Sequence, residues 1–216
     1  MSLPRVAILI SGRGSNMRSL VSAAQGADFP AEITLVLSNV ANAGGLEFAR
    51  EQGIPTAVVD HKAYANREAF ERAMQETLVA AKIDLVCLAG FMRLLTPWFV
   101  EQWRGKMINI HPALLPSYRG LHTHERALAD GVKIHGATVH FVVPEMDAGP
   151  IIAQAAVPVL DSDTPDTLGA RVLEQEHLIY PLSLRLVAGG AARIEGQRVL
   201  LTPERPAVAA LRFPNA

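Results

Sequence analysis

Val6-Ala7-Ile8-Leu9-Ile10-Ser11-Gly12-Arg13-Gly14-Ser15-Asn16 reads as a short apolar strand, a glycine-rich turn and the start of a helix. The apolar run is too short for a signal peptide and stops at Ser-Gly. Downstream the same alternation repeats. A helix is expected over 16–24, a strand over 33–37, a helix over 44–52 and a strand over 56–59. A long amphipathic helix at 67–82 and strands at 83–88 and 107–110 complete the set. This pattern predicts an α/β fold: an open, mostly parallel twisted sheet with helices on both faces, Rossmann-like in its first half. Ligands on such sheets sit beyond the carboxyl ends of the strands, where the topology reverses. Three strand exits therefore matter, at 11–16, 89–95 and 109–120.

The second half changes character. Residues 135–141 and 151–157 suggest an antiparallel strand extension, joined by a loop over 142–150 rich in Pro, Gly and acid. Thr164-Pro165 supplies an N-cap and a proline at the first helical position. That helix should run toward Gly189-Gly190 with a kink at Pro181. Beyond about residue 193 a short strand or hairpin and a Pro-rich tail are expected. Without repeats or a linker, residues 1–216 read as a single domain.

Half of the 216 residues are apolar and 19% are charged, enough for a sizeable core. A net charge of −1 with scattered Lys and Arg gives no reason to expect nucleic acid or a membrane as partner. The single cysteine, Cys87, excludes an internal disulfide and reads as a buried, inert thiol. No stretch reaches membrane-spanning length, so a cytoplasmic location is expected.

Ser11-Gly12-Arg13-Gly14-Ser15-Asn16 could cradle a phosphate, because glycines permit close backbone approach and a helix N-terminus offers free N–H groups. It lacks the third glycine of a dinucleotide fingerprint and the Gly-Lys-Ser/Thr of a P-loop. Asn109-Ile110-His111-Pro112 ends a strand, so the amide and the imidazole point the same way. That pair suits a reaction building negative charge on a carbonyl oxygen. A carboxylate nearby would favour a protonated imidazole, and Asp147 and Glu145 both qualify. Five of the seven histidines, His111, His122, His124, His135 and His140, fall in one region. Glu125 onward reads as a helix, so His122 and His124 are expected on a turn lining the active-site loop. No HExxH, clustered Cys or His-rich tract supports a metal, and none is expected.

Several motifs, taken in order, resemble the phosphoribosylglycinamide formyltransferase family. They are Ser11 to Asn16, Leu88-Ala89-Gly90-Phe91-Met92-Arg93, Asn109-Ile110-His111-Pro112-Ala113-Leu114-Leu115-Pro116 and Gly120-Leu121-His122-Thr123-His124. His135-Gly136-Ala137-Thr138-Val139-His140, Asp147-Ala148-Gly149-Pro150 and Glu176-His177-Leu178-Ile179-Tyr180-Pro181 continue the match, which covers essentially residues 5–187. The resemblance implies transfer of a formyl group from 10-formyltetrahydrofolate, a co-substrate, to the amine of glycinamide ribonucleotide in purine biosynthesis. It implies catalytic roles for Asn109, His111 and Asp147, and so selects Asp147 over Glu145. Gly14, Ser15 and Asn16 would hold the substrate phosphate, and Glu176 the ribose hydroxyls. Folate would meet Arg67, Met92, Arg93, Leu94, Leu95, Asn109, Val143, Pro144, Glu145, Met146 and Asp147. The phosphate-binding half would span about 1–105 and the catalytic, folate-binding half about 106–190, with a hairpin and tail over 191–216. Both partners are small molecules, and the chain is expected as a monomer or homodimer.

Ser117-Tyr118-Arg119-Gly120 departs toward methionyl-tRNA formyltransferase, whose basic C-terminal domain is not expected in this chain. Formyltetrahydrofolate deformylase usually adds an N-terminal regulatory domain, and none is expected ahead of a cradle that begins at residue 11. A non-catalytic nucleotide-binding module would leave Asn109, His111 and Asp147 without purpose.

Overall fold

Apolar strands whose two faces are both covered organise the computed structural model, which describes residues 2–203. The strands are β1 (Arg5–Ile10), β2 (Glu32–Ser38), β3 (Thr56–Val58), β4 (Leu85–Leu88), β5 (Met107–His111), β6 (Ile134–Phe141), β7 (Ile151–Pro158), β8 (Ala192–Glu195) and β9 (Arg198–Leu201). The helices are α1 (Ser15–Ala24), α2 (Gly44–Glu51), α3 (Arg67–Ala80), α4 (Pro97–Gln102), α5 (Thr123–Ala129) and α6 (Pro165–Ala188). Seven strands form one sheet in the order β3-β2-β1-β4-β5-β6-β7, and β8 and β9 form a separate hairpin. The first five strands are mutually parallel. β6 and β7 extend the sheet in antiparallel fashion from β5. This is the expected α/β architecture, including the antiparallel extension and the hairpin. The Pro-rich tail lies outside the described residues.

Side-chain alternation along β1 shows how the layers are held. Val6, Ile8 and Ile10 join a cluster with Met17 and Leu20 of α1, Leu46 of α2, and Leu168 and Val172 of α6. Ala7 and Leu9 join a second cluster with Phe70, Met74 and Leu78 of α3, and Phe99 and Val100 of α4. Each fully buried Leu or Ile contributes about 1.5–3 kcal/mol, so a strand apolar on both faces is fixed between two helical layers. The central strands are pinned further by Tyr180 of α6, whose buried hydroxyl donates toward the carbonyls of Leu88 (2.8 Å) and Ile108 (3.2 Å).

One helix, α4, was not expected from the sequence. No helix was expected between 95 and 107, yet Thr96 caps α4 by accepting from the Phe99 amide at 3.3 Å, with Pro97 in its first turn. The same Thr-Pro signal opens α6, where Thr164 and Thr167 cap each other reciprocally. Pro181 lies inside α6 without interrupting it.

Because chain order reverses direction between β1 and β4, a crevice opens beyond their carboxyl ends. The loops leaving β1 and β4 meet there.

Candidate active site

The crevice between β1 and β4 holds a cavity of about 180 Å³ lined by Gly12, Arg13, Gly14, Ser15, Asn16, Ala89 and Gly90. Gly14 precedes α1 in the left-handed region, at φ 73°. A Cβ at Gly14 would lie 3.0 Å from the Met17 side chain and 3.3 Å from the Gly45 backbone, so glycine is required there twice over. No side chain among the described residues caps α1, which leaves its first N–H groups facing the cavity with the positive end of the helix dipole. Asn16 donates from Nδ2 to Glu176 Oε2 at 2.6 Å, across from α6. Burial pushes the Glu176 carboxyl above its ordinary range, and the Asn16 hydrogen bond works against that shift. The buried Oδ1 of Asn16 has no protein partner among the described residues. This end of the crevice suits an anion with a polar, hydroxylated neighbour.

Asn109 and His111 lie two apart on β5, opposite His140 and Thr138 of β6. His140 is buried, and its Nδ1 lies 2.9 Å from the Phe141 carbonyl, which only accepts. The proton therefore sits on Nδ1, and Nε2 is left to accept from Asn109 Nδ2 at 3.2 Å. Burial also pushes the His140 imidazole below its ordinary range, which keeps that lone pair available. The result fixes which way the Asn109 amide faces. His111 Nε2 is 2.9 Å from the Tyr118 carbonyl, and its Nδ1 is 3.5 Å from Asp147 Oδ2. Both ring nitrogens thus face acceptors. Asp147 accepts the Gly120 N–H at 2.8 Å through the same oxygen.

Glu145, the other acid considered, points elsewhere and pairs with Arg119 at 2.6 Å on the surface. The structure thus brings Asn109, His111 and Asp147 together, with His140 as a fourth member. Thr138 ties the following loop down: it donates to Ala113 O (2.7 Å) and accepts from Leu115 N (3.0 Å) and from Gln154 Nε2 (3.0 Å). Sequence reasoning assigned no role to His140, Thr138, Tyr118, Gly120 or Gln154. His140 and Thr138 share the parity of the strand face opposite Asn109 and His111, a signal that exists only once the register is known.

The segment after β4 exposes Met92, Arg93 and Leu94, with Leu95 partly covered. Arg67, exposed at the start of α3, precedes Glu71 by about one helical turn. Glu71 accepts from both the amide (2.7 Å) and the hydroxyl of Thr96, which staples α3 beside the 92–95 segment. In the 142–147 loop Val143 is partly buried, whereas Pro144, Glu145 and Met146 are exposed.

The turn expected at His122 and His124 is corrected. α5 begins at Thr123, whose hydroxyl donates to the Pro112 carbonyl at 2.8 Å, so His122 occupies the N-cap position and His124 the first turn. His122 stays exposed beside Glu125. His124 turns toward α6, where a Cβ at Gly169 would sit 3.1 Å from its ring. It stacks edge-on against His135 at 5.4 Å between ring centroids. Burial lowers both imidazoles, His135 to about 4, and neither nitrogen of His135 has a hydrogen-bond partner among the described residues. No group of three His, Cys, Asp or Glu side chains among the described residues could hold a metal ion. No helix among them is long and apolar enough to cross a membrane.

The formyl transferase family model matches residues 4–184. Phosphoribosylglycinamide formyltransferase of Escherichia coli is 45% identical over 201 residues, which is 90% of this chain and 95% of that one. The trifunctional purine biosynthetic protein adenosine-3 of Bos taurus is 52% identical over 190 residues, or 88% of this chain. There the chain spans only 19% of the relative's length. A crystal structure of glycinamide ribonucleotide transformylase 1 from Symbiobacterium toebii superposes with a TM-score of 0.90 at 45% identity, covering 92% of this chain and 94% of that one.

Proposed function

Since the chain belongs to the formyl transferase family, we propose that it transfers the formyl group of 10-formyltetrahydrofolate to the amine of glycinamide ribonucleotide. The products are N-formylglycinamide ribonucleotide and tetrahydrofolate, and both halves of the chain act as one catalytic unit. The observation that carries this reading is the grouping of Asn109, hydrogen-bonded to His140, with His111, which faces Asp147 at 3.5 Å, at a strand exit of the sheet that also holds the anion-suited cavity. The names of the full-length bacterial relatives support the choice of substrates.

Gly14, Ser15 and Asn16 hold the ribonucleotide phosphate on the amide groups that open α1, and Glu176 accepts from the ribose hydroxyls. Arg67, the 92–95 segment and the 143–147 loop receive the folate, with Arg67 meeting its carboxylate-bearing tail. When the amine attacks the formyl carbon, negative charge develops on the formyl oxygen. Asn109 donates to that oxygen from the amide group that His140 orients, and protonated His111 donates a second hydrogen bond. Asp147 offsets the charge on His111 and, through water, takes the proton leaving the amine and passes it to the departing N10. His111 Nε2, which faces the Tyr118 carbonyl at 2.9 Å, is the nitrogen left to donate to the formyl oxygen.

Incubation with 10-formyltetrahydrofolate, with and without glycinamide ribonucleotide, tests the reading. Tetrahydrofolate formed only when the amine is present supports transfer. Amine-independent release would replace it with a deformylase, and no release would leave a nucleotide-binding module.

A further inference from the structure

None of these roles engages Ser11, the first residue after β1. Its position is central, with β2 on one side of β1 and β4 on the other. Its hydroxyl reaches both neighbours. It donates to Asn39 Oδ1, just past the end of β2, at 2.6 Å, and accepts the Met92 N–H, past the end of β4, at 2.8 Å. Its own N–H donates to the Gly90 carbonyl at 3.2 Å.

We propose that Ser11 is a positioning residue for the folate side of the site, its hydroxyl fixing the 90–95 segment against the strand exit that carries the phosphate cradle. The inference rests on the formyl-transfer reading for the identity of its ligand. A hydroxyl is a donor and an acceptor on a single short side chain, which is what a bridge between two strand ends needs. Asn39 is buried, so its orientation is set by the fold rather than by solvent. Asn39 continues the line, because its Nδ2 and its carbonyl lie 3.1 and 3.0 Å from His61 Nδ1. The His61 ring rests edge-on against Phe70 of α3 at 6.2 Å between ring centroids. Phe70 is one turn along α3 from Arg67. Met92 directly, and Arg67 through Asn39 and His61, are therefore referred to the same hydroxyl.

The phosphate side depends on it less. The Gly12 carbonyl is held independently by the Gly45 N–H at 3.1 Å, and the cradle is built on the backbone of α1. The Ser11–Met92 bond lies at the exposed rim, with Met92 65% exposed, so water can replace it at small cost to the fold. What its loss removes is the preorganisation of a ligand-binding segment, which registers in affinity rather than in folding.

The test compares the parent chain with Ser11→Ala and Ser11→Thr. It measures tetrahydrofolate binding by calorimetry, then KM for each substrate, kcat and thermal unfolding. Ser11→Ala should weaken tetrahydrofolate binding and raise the KM for 10-formyltetrahydrofolate by about tenfold. The KM for glycinamide ribonucleotide and kcat should stay within about twofold. Ser11→Thr, which keeps the hydroxyl, should restore the folate constants to within about threefold of the parent. Folate constants for Ser11→Ala within about twofold of the parent would overturn the proposal. So would an equal loss on both substrates that Ser11→Thr does not repair, because that marks a general structural defect. A parent chain that binds tetrahydrofolate but transfers no formyl group overturns the transfer reading, and the tetrahydrofolate comparison then decides the role of Ser11 alone. A parent chain that binds no tetrahydrofolate overturns both.

Discussion

Replacing Asp147 by asparagine separates the charge of this residue from its position. Asp147 adopts φ 50°, a left-handed conformation that Asn tolerates as well as Asp does. An amide oxygen can still accept the Gly120 N–H that now bonds Oδ2 at 2.8 Å. The loop should therefore keep its place, and only the negative charge facing His111 disappears. At the observed 3.5 Å, unit charges at an effective dielectric constant of about 20 interact by about 5 kcal/mol. The amide dipole and nearby water recover part of this. A loss of about 3–4 kcal/mol from transition-state stabilisation is expected, or roughly 10²–10³-fold in kcat/KM. Steady-state assay of tetrahydrofolate formation across pH, beside thermal unfolding, measures both parts. Asp147→Ala is the control: it removes the Gly120 bond and places alanine at a positive φ, so stability falls as well, by about 1–3 kcal/mol. An Asp147→Asn enzyme within about tenfold of the parent kcat/KM would refute the charge role. Equal losses of stability in the two variants would refute the backbone argument.

His135 carries a different pH signature. Its folded imidazole, lowered to about 4 by burial, binds a proton later than the unfolded chain does near 6.5. The unfolded state then holds more protons between those values, so stability should fall by about 3 kcal/mol on acidification through that window. His135→Phe keeps the ring packing against Tyr118 and His124 and should narrow the gap between melting temperatures at neutral and acidic pH; an unchanged gap counts against this account. Glu176 has the opposite sign, because a buried carboxyl raised above its ordinary range loses stability as pH climbs past that range. Glu176→Gln should raise the melting temperature at neutral pH while raising the KM for the ribonucleotide, and a lower melting temperature would contradict the sign. Tyr180→Phe removes a buried hydroxyl bound to two strand carbonyls and should cost about 1–2 kcal/mol of stability by calorimetry with little effect on KM.

How much of the site was legible depended on the distance over which each signal acts. The Gly12-Arg13-Gly14 turn was readable because the strand, the tight turn and the helix start lie next to one another in the chain. Asn109 and His111 were readable as a pair because strand alternation is local. The Thr96-Pro97 cap was equally local, yet a helix as short as α4 carries too few apolar repeats to announce itself. His124 was assigned to a turn because the helical pattern is readable only from Glu125, whereas the Thr123 hydroxyl, tied to the Pro112 carbonyl far back in the chain, starts α5 two residues earlier.

The sequence by itself determined the layered α/β sheet, since apolar runs alternating with amphipathic helices admit few other burials. It also determined the strand exits where chemistry can occur. Residue-by-residue reading left Asp147 and Glu145 open, and only the resemblance to a family favoured the first. Tertiary structure decided which acid faces His111, which tautomer His140 holds and which oxygen meets the Gly120 amide. These depend on the register of β6 against β5 and on the path of two loops. Such contacts join residues far apart in the chain, and their energies are settled by packing that no local window of sequence contains.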